Sequence, residues 1–178
     1  RFTIQSISKV ISLCVALQHC GFDKVFEKIR MEPSGDAFNS LLKLDMTSNY
    51  PYNPMINSGA ITVVSYLMPI FSFKELLDYA GKLCLDPKIR LDERAYTSEM
   101  ANSARNRAIA YLLQSKGIIE CDIERSLELY VKMCSLSVTA KSLAAFGLVL
   151  ANGGIHPETG EEMRFETRIP DAFVSLAK

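Results

Sequence analysis

Residues 1–20, RFTIQSISKVISLCVALQHC, carry the pattern that decides the fold of this chain. After the first few residues the stretch is apolar on nearly every side of a helix, and a helix with that pattern is buried. We therefore predict a buried helix from about Ser6 to Cys20, ended by Gly21. Lys9 lies at the head of this helix, where burial of its charge requires a partner or a function.

Ser6 and Lys9 are three positions apart, so a helix places both side chains on one face. A serine hydroxyl becomes a nucleophile when a base takes its proton, and a lysine amine can be that base when burial lowers its pKa. The backbone N–H of a serine at a helix N-terminus can also face a developing oxyanion. This is the Ser-x-x-Lys arrangement of serine acyl-transfer enzymes. On pattern alone, a capping serine followed by a solvated lysine stays open as the alternative.

Length and composition fit a single domain over 1–178, with 48% hydrophobic residues to fill a core. The formal net charge is zero, so we expect no nucleic-acid partner. No apolar run reaches the roughly eighteen residues of a membrane span, so we expect no membrane partner. Five scattered cysteines without a CxxC motif, with two histidines, favour neither a metal site nor a disulfide framework. We therefore expect no metal, no cofactor and a reducing, cytoplasmic location.

The remaining patterns are predominantly helical, with few strands. Residues 98–116 are predicted to form one long helix, and Asp122 is predicted to cap a helix that runs to about Cys134. Residues 61–68 stay open between a strand, which their β-branched side chains favour, and a buried helix.

Four further polar residues are candidates for a binding site. On the predicted helix, Glu99 and Asn106 share one face about 10.5 Å apart along the axis, where a carboxylate and an amide could hold a small zwitterion. Asn57 could cap a helix or bind a polar substrate. Tyr130 has apolar neighbours, as either a core ring or a ligand contact would. From the pattern alone, a cap, a solvated face or a core ring remains open for each.

Several segments, taken in order, resemble the serine-dependent glutaminases, a branch of the β-lactamase/penicillin-binding-protein-like fold. The matching segments are Phe2–Lys9, Val25–Lys28, Met31–Gly35, Phe38–Asn39, Asn53–Ala60, Glu99, Arg105–Arg107, Leu129–Tyr130, Cys134–Ser135 and Val138–Gly154. Each segment alone is unspecific, but the ordered set covers essentially the whole chain and is very specific.

The resemblance implies hydrolysis of L-glutamine to L-glutamate and ammonia, with Ser6 as the nucleophile and Lys9 as the general base. It also implies that four residues contact the bound glutamine, namely Asn57, Glu99, Asn106 and Tyr130. A carboxylate can pair with the substrate α-ammonium, while amides and a phenol can donate to its α-carboxylate. The full-length protein is expected to be a homo-oligomer.

Compared with that family, the chain lacks an N-terminal segment with strands and a tyrosine. It also lacks a C-terminal portion with a second tyrosine and a Gly-rich strand. We therefore expect the helical lobe of an α+β domain, truncated at both ends, with most of the sheet absent and with impaired activity. In that open pocket Lys9 is expected to stay hydrated and protonated.

Two rival functions remain. A β-lactamase or transpeptidase of the same superfamily would add a Ser-Asp-Asn or Tyr-x-Asn element and a Lys-Thr-Gly strand. Here Tyr130 is followed by Val-Lys, and no Lys-Thr-Gly occurs. The second rival is a non-catalytic helical fragment or binding module.

Overall fold

The computed structural model describes residues 1–35, 37, 39–40 and 49–160; Phe38, in one of the matching segments, and the last part of the predicted 1–178 domain lie outside them. Eight helices occur in the described ranges: α1 Ser8–Cys20, α2 Phe22–Phe26, α3 Asn57–Leu67, α4 Phe73–Leu83, α5 Glu93–Ala101, α6 Ala104–Ser115, α7 Ile123–Cys134 and α8 Ala140–Ala151. The strands described there are β1 Phe2–Thr3, β2 Arg90–Leu91 and β3 Leu136–Val138. The predicted, predominantly helical architecture is confirmed.

Helix α1 confirms the buried helix predicted from the opening stretch. Its residues from Ser8 to Leu17 are buried, apart from the partly exposed Val10. It ends at Gly21, which has a φ of 81° that glycine adopts without steric cost. The start differs from the prediction, since residues 5–7 wind as a tighter 3-10 turn before the α-helix begins.

The segment left open between strand and helix is helical. Helix α3 is buried from Ser58 to Ser65 and packs against α1, α6 and α7. Its β-branched side chains therefore occupy a helix because tertiary burial outweighs their weak preference for strands. Two buried hydroxyls bond to earlier carbonyls of the same helix: Thr62 to Ser58 at 2.9 Å and Ser65 to Thr62 at 2.7 Å.

The prediction of one helix over 98–116 is wrong. Helix α5 ends at Ala101, and α6 begins at Ala104. The two residues between them bond back to the preceding turn: Asn102 Nδ2 donates to Ser98 O at 2.8 Å and Ser103 Oγ donates to Met100 O at 2.7 Å. Short polar side chains that bond in this way compete with continuation of a helix. Glu99 therefore lies on α5 and Asn106 on α6, and the predicted spacing of about 10.5 Å along one helix axis does not apply to them.

A small antiparallel sheet gathers the elements that carry the candidate residues. Strand β3 is central, with β1 and β2 on either side. Phe2 pairs with Val138, and Arg90 pairs with Ser137. Because β1 leads into the turn with Ser6, β2 leads into α5, and β3 follows α7, the sheet brings these three elements to one end of the helical core.

Candidate active site

Lys9 is buried where α1 meets the start of α3. Only 4% of its surface is exposed, and its Nζ donates to Met55 O at 2.9 Å and to Asn57 Oδ1 at 2.7 Å. Burial lowers the pKa of Lys9 to about 8, against a smaller opposite effect of the neighbouring Cys134. The expectation of a hydrated Lys9 is therefore wrong, because the two oxygens and the helix packing enclose the amine. A lysine with this pKa can exchange a proton near neutral pH.

Ser6 lies in the 3-10 turn, is exposed to solvent and directly precedes α1. Ile7 and Ser8 have right-handed helical backbone angles, so Ser6 and Lys9 belong to one continuous helical stretch. Side chains three positions apart in a continuous helical stretch lie on the same face. The prediction that Ser6 lies at a helix N-terminus, on one turn with Lys9, is confirmed.

Gln5, the residue before Ser6, has a strained backbone. Its φ is 52°, in the left-handed region that a non-glycine residue seldom occupies. Its Nε2 donates to Thr3 Oγ1 at 3.1 Å and to Glu99 Oε1 at 3.3 Å. The backbone thus turns sharply beside the candidate nucleophile, and the side chain joins this turn to α5, in keeping with strain held at functional sites.

A chain of hydrogen bonds joins three of the six candidate residues across three helices. Lys9 of α1 donates to Asn57 of α3, and Asn57 Nδ2 donates to Asn106 Oδ1 of α6 at 2.9 Å. The two amides are therefore oriented by the lysine, and the asparagine of α6 retains an NH₂ group that can donate to a ligand.

Tyr130 and Cys134 lie beneath the same turn, one helical turn apart on α7. The Tyr130 hydroxyl and the Cys134 thiol share a hydrogen bond, and Ser8 Oγ donates to Cys134 Sγ at 3.5 Å. Burial raises the pKa of Tyr130 and of Cys134, and nearby Glu99 adds to both shifts. Both groups are therefore neutral at physiological pH, so the phenol keeps a proton to donate.

The structure thus brings the six candidates toward one region. Some are joined by direct hydrogen bonds and others only through neighbouring residues. Lys9, Asn57 and Asn106 are joined by hydrogen bonds. Glu99 contacts the residue that precedes Ser6, and Tyr130 is linked through Cys134 to Ser8. Glu99 is exposed and Tyr130 is buried, so the first is open to a ligand at the surface and the second forms part of the floor.

Sequence reasoning missed five contributors: Gln5, Ser8, Asn53, Cys134 and the main-chain oxygen of Met55. A side-chain pattern does not show which backbone carbonyls accept hydrogen bonds. A left-handed φ is usually predicted from a glycine, and position 5 is a glutamine. Four of the five lie in Phe2–Lys9 or Asn53–Ala60, the segments that carry the Ser-x-x-Lys pair and Asn57, so proximity to these candidates was the available signal.

Cavity size alone would point elsewhere. A cavity of about 760 Å³ lies beside α4, with Asp78, Lys82 and Asp86 among its lining residues. Its lining includes none of the six candidates. The arrangement around Lys9 combines an exposed serine, a buried lysine with a lowered pKa and two oriented amides, so it is the stronger candidate.

Across residues 1–35, 37, 39–40 and 49–160, no cluster of three or more His, Cys, Asp or Glu side chains is placed to hold a metal ion. None of the helices described in those ranges has the length and apolar character needed to cross a membrane.

Solved structures share this fold. A Bacillus glutaminase solved in the presence of 4.3 M NaCl is similar with a TM-score of 0.86 and 37% identity, covering 99% of this chain and 59% of that one. The protein Mglu in its glutamate form is similar with a TM-score of 0.81 and 42% identity, covering 91% of this chain and 38% of that one. The likeness confirms the predicted serine β-lactamase-like fold class.

The glutaminase family model matches residues 1–174, and the chain therefore belongs to the glutaminase family. Glutaminase 2 of Clostridium perfringens (strain 13 / Type A) is 46% identical over 167 residues, which are 92% of this chain and 55% of that protein. The glutaminase of Alkaliphilus metalliredigens (strain QYMF) is 40% identical over 181 residues, covering 99% of this chain and 58% of that protein. The chain thus spans a little over half the length of these curated relatives.

Proposed function

We propose that the protein containing this chain hydrolyses L-glutamine to L-glutamate and ammonia through an acyl-enzyme on Ser6. The observation that carries the proposal is the buried Lys9, with its lowered pKa, on the helical turn next to an exposed serine. Membership of the glutaminase family supports the substrate, and so does a similar structure, Mglu, solved in its glutamate form.

The proposed chemistry uses Lys9 as a proton carrier. Neutral Lys9 Nζ takes the proton of Ser6 Oγ as that oxygen bonds to the carboxamide carbon of glutamine. The carbon–nitrogen bond then breaks, and the lysine ammonium gives its proton to the departing ammonia. A water molecule attacks the resulting ester and loses a proton to Lys9; the carbon–oxygen bond to Ser6 then breaks to release glutamate, and the lysine ammonium returns that proton to Ser6 Oγ. Met55 O and Asn57 Oδ1 hold the amine in place throughout.

The other candidates are proposed to hold the amino-acid end of the substrate. The exposed Glu99 would bind the α-ammonium by a charge-assisted hydrogen bond. The NH₂ group of Asn106 and the hydroxyl of Tyr130 would donate to the α-carboxylate, since the oxygen of this amide already accepts from Asn57. Recognition of both α-groups would distinguish a free amino acid from a glutamine residue within a protein.

We also propose a cytoplasmic location and homo-oligomerisation. All five cysteines are free, which suits a reducing compartment. Several large apolar residues are exposed, including Tyr111 at 48% and Leu148 at 53% of their surface, and such residues suit a subunit contact. Light scattering on the purified protein measures the oligomeric state.

The decisive experiment is the Ser6→Ala substitution in the full-length protein. The readout is ammonia release from L-glutamine. The expected result is loss of turnover, whereas Ser115→Ala, at the exposed end of α6, leaves turnover unchanged. Mass spectrometry of the quenched reaction should detect an acyl adduct on the peptide that contains Ser6. Retention of a tenth of the activity by the alanine variant would refute the proposal, and turnover of a chromogenic β-lactam would favour the rival β-lactamase function.

A further inference from the structure

Asn53 is a buried polar residue to which the proposed chemistry gives no role. Only 4% of its surface is exposed, and all of its side-chain polar atoms are engaged. Its Nδ2 donates to Glu32 O at 2.7 Å, while its Oδ1 accepts from Met55 N at 3.0 Å and from Ile56 N at 3.2 Å. The side chain therefore closes the turn that precedes α3 and ties this turn to a second segment of the chain.

The backbone of Asn53 is also in close contact with α3. A Cβ atom added at Gly59 would lie 1.9 Å from Asn53 O, a distance that no real contact allows. The first turn of α3 therefore packs directly on the Asn53 carbonyl, and glycine is required there by this close approach. Side chain and main chain of one residue thus hold the entry to α3 from two sides.

The segment held in this way supplies both acceptors of the lysine amine. Met55 follows Asn53 by two positions and offers its carbonyl at 2.9 Å from Lys9 Nζ. Asn57 follows by four positions and offers its Oδ1 at 2.7 Å. A shift of the Met55–Ile56 turn would therefore move both acceptors together.

We propose that Asn53 is a positioning residue, which holds the Met55 carbonyl and the Asn57 side chain in place around Lys9. This inference rests on the proposed function for its catalytic consequence, but its structural content concerns Lys9 alone. Loss of the clamp, defined as the Asn53 side chain with its three hydrogen bonds, would let the turn move and admit water to the amine.

Water at the amine would change its proton affinity in a known direction. Burial is the main cause of the lowered Lys9 pKa, so hydration raises that pKa toward its ordinary value. The titratable group that acts on Lys9 is the Cys134 thiol, which in turn faces Tyr130 and Glu99. Replacement of Asn53 alters none of these three, so a shift would report the clamp.

The test compares Asn53→Ala and Asn53→Ser with wild type, and uses Ser72→Ala as a matched control. Ser72 belongs to the capping box of α4, a helix that carries none of the six candidates, so its loss lowers stability without touching the site. The Lys9 pKa is measured by NMR titration of ¹³C-labelled lysine, assigned with Lys9→Arg. The thermal unfolding midpoint and the pH dependence of kcat/KM for glutamine are measured on the same samples.

Asn53→Ala and the control Ser72→Ala are both expected to lower the unfolding midpoint. Only Asn53→Ala should raise the Lys9 pKa, by about one unit. Asn53→Ser, whose hydroxyl can accept from the same turn, should reverse part of the shift and stay folded if the alanine variant does not. An unchanged Lys9 pKa in both Asn53 variants would overturn the inference. Absence of glutaminase activity in the full-length wild-type protein would instead refute the proposed function, while the titration would still decide the role of Asn53.

Discussion

Two lysines near the ends of the first two helices show how position decides what one side chain does. Lys9, at the start of α1, is enclosed and donates to neutral carbonyl and amide oxygens. Lys24, on α2, is exposed and pairs with Glu27 at 2.8 Å. Burial lowers the pKa of Lys9 to about 8, whereas the hydrogen bond that Lys24 donates to Glu27 raises the pKa of Lys24.

The difference lies in the charge of the partner as much as in burial. Neutral acceptors orient the Lys9 amine but compensate its charge only partly, so desolvation dominates. The Glu27 carboxylate carries the opposite charge and favours protonated Lys24, and water around the surface pair screens both charges. A base is therefore made by surrounding a lysine with dipoles rather than with anions.

The largest expected effect follows from removing the enclosed amine. Lys9→Met should lower kcat/KM for glutamine by about 100- to 10,000-fold, the contribution typical of a general base. Lys24→Met should leave it unchanged, because that amine holds its proton on a distant surface. Steady-state ammonia release measures both, and equal losses in the two variants would remove the functional distinction between the two lysines.

The comparison can be broken by giving Lys9 the kind of partner that Lys24 has. Asn57→Asp places a carboxylate where Oδ1 now lies 2.7 Å from Lys9 Nζ. A neighbouring opposite charge favours the protonated amine, so the Lys9 pKa should rise by about one to three units.

Wild-type kcat/KM should rise with pH through about 8, since only the neutral amine accepts a proton. In Asn57→Asp this rise should move to higher pH, so that activity near pH 7 falls by about 10- to 1,000-fold and part of it returns in alkali. A pH–rate profile measures the shift. A variant that is equally weak at every pH would mean that the asparagine binds substrate without tuning the base.

A smaller effect is expected from a charge that belongs to the site but does not contact Lys9. Glu99→Gln keeps the shape of the side chain and removes a charge-assisted contact, which should weaken glutamine binding by about 1.5–3 kcal/mol. The control is Glu93→Gln, on the first turn of the same helix. Calorimetric titration with glutamine measures binding without turnover when every protein also carries Ser6→Ala. Identical glutamine affinities with and without Glu99→Gln in that background would place Glu99 outside the site.

The smallest effect is expected at the surface pair itself. Lys24 and Glu27 are more than half exposed, so water screens their attraction and their pairing restricts two mobile side chains. Lys24→Met, Glu27→Gln and the double variant should unfold in denaturant at the wild-type midpoint within experimental error. A coupling between the two that disappears in high salt would show that the surface pair stabilises the fold after all.

Much of the helical framework was predictable because the helix positions depend on local sequence patterns. The apolar run up to Cys20 and its Gly21 stop predicted α1, and Asp122 predicted α7, where its carboxylate accepts from Arg125 N at 3.0 Å. The Ser-x-x-Lys spacing predicted that Ser6 and Lys9 share one helical stretch. Such features depend on neighbours within about one helical turn, which a sequence displays directly.

The sequence by itself thus determined the main helices, the placement of Ser6 and Lys9 on one helical stretch and, through its ordered segments, the family. Tertiary structure alone decided that residues 61–67 are helical, that the helix predicted over 98–116 is interrupted at Asn102 and Ser103, and that three short strands form one sheet. It also decided the character of Lys9, because the Met55 carbonyl and the surrounding burial come from segments far apart in the chain. Burial and charge depend on contacts between distant segments, and those contacts exist only once the chain has folded.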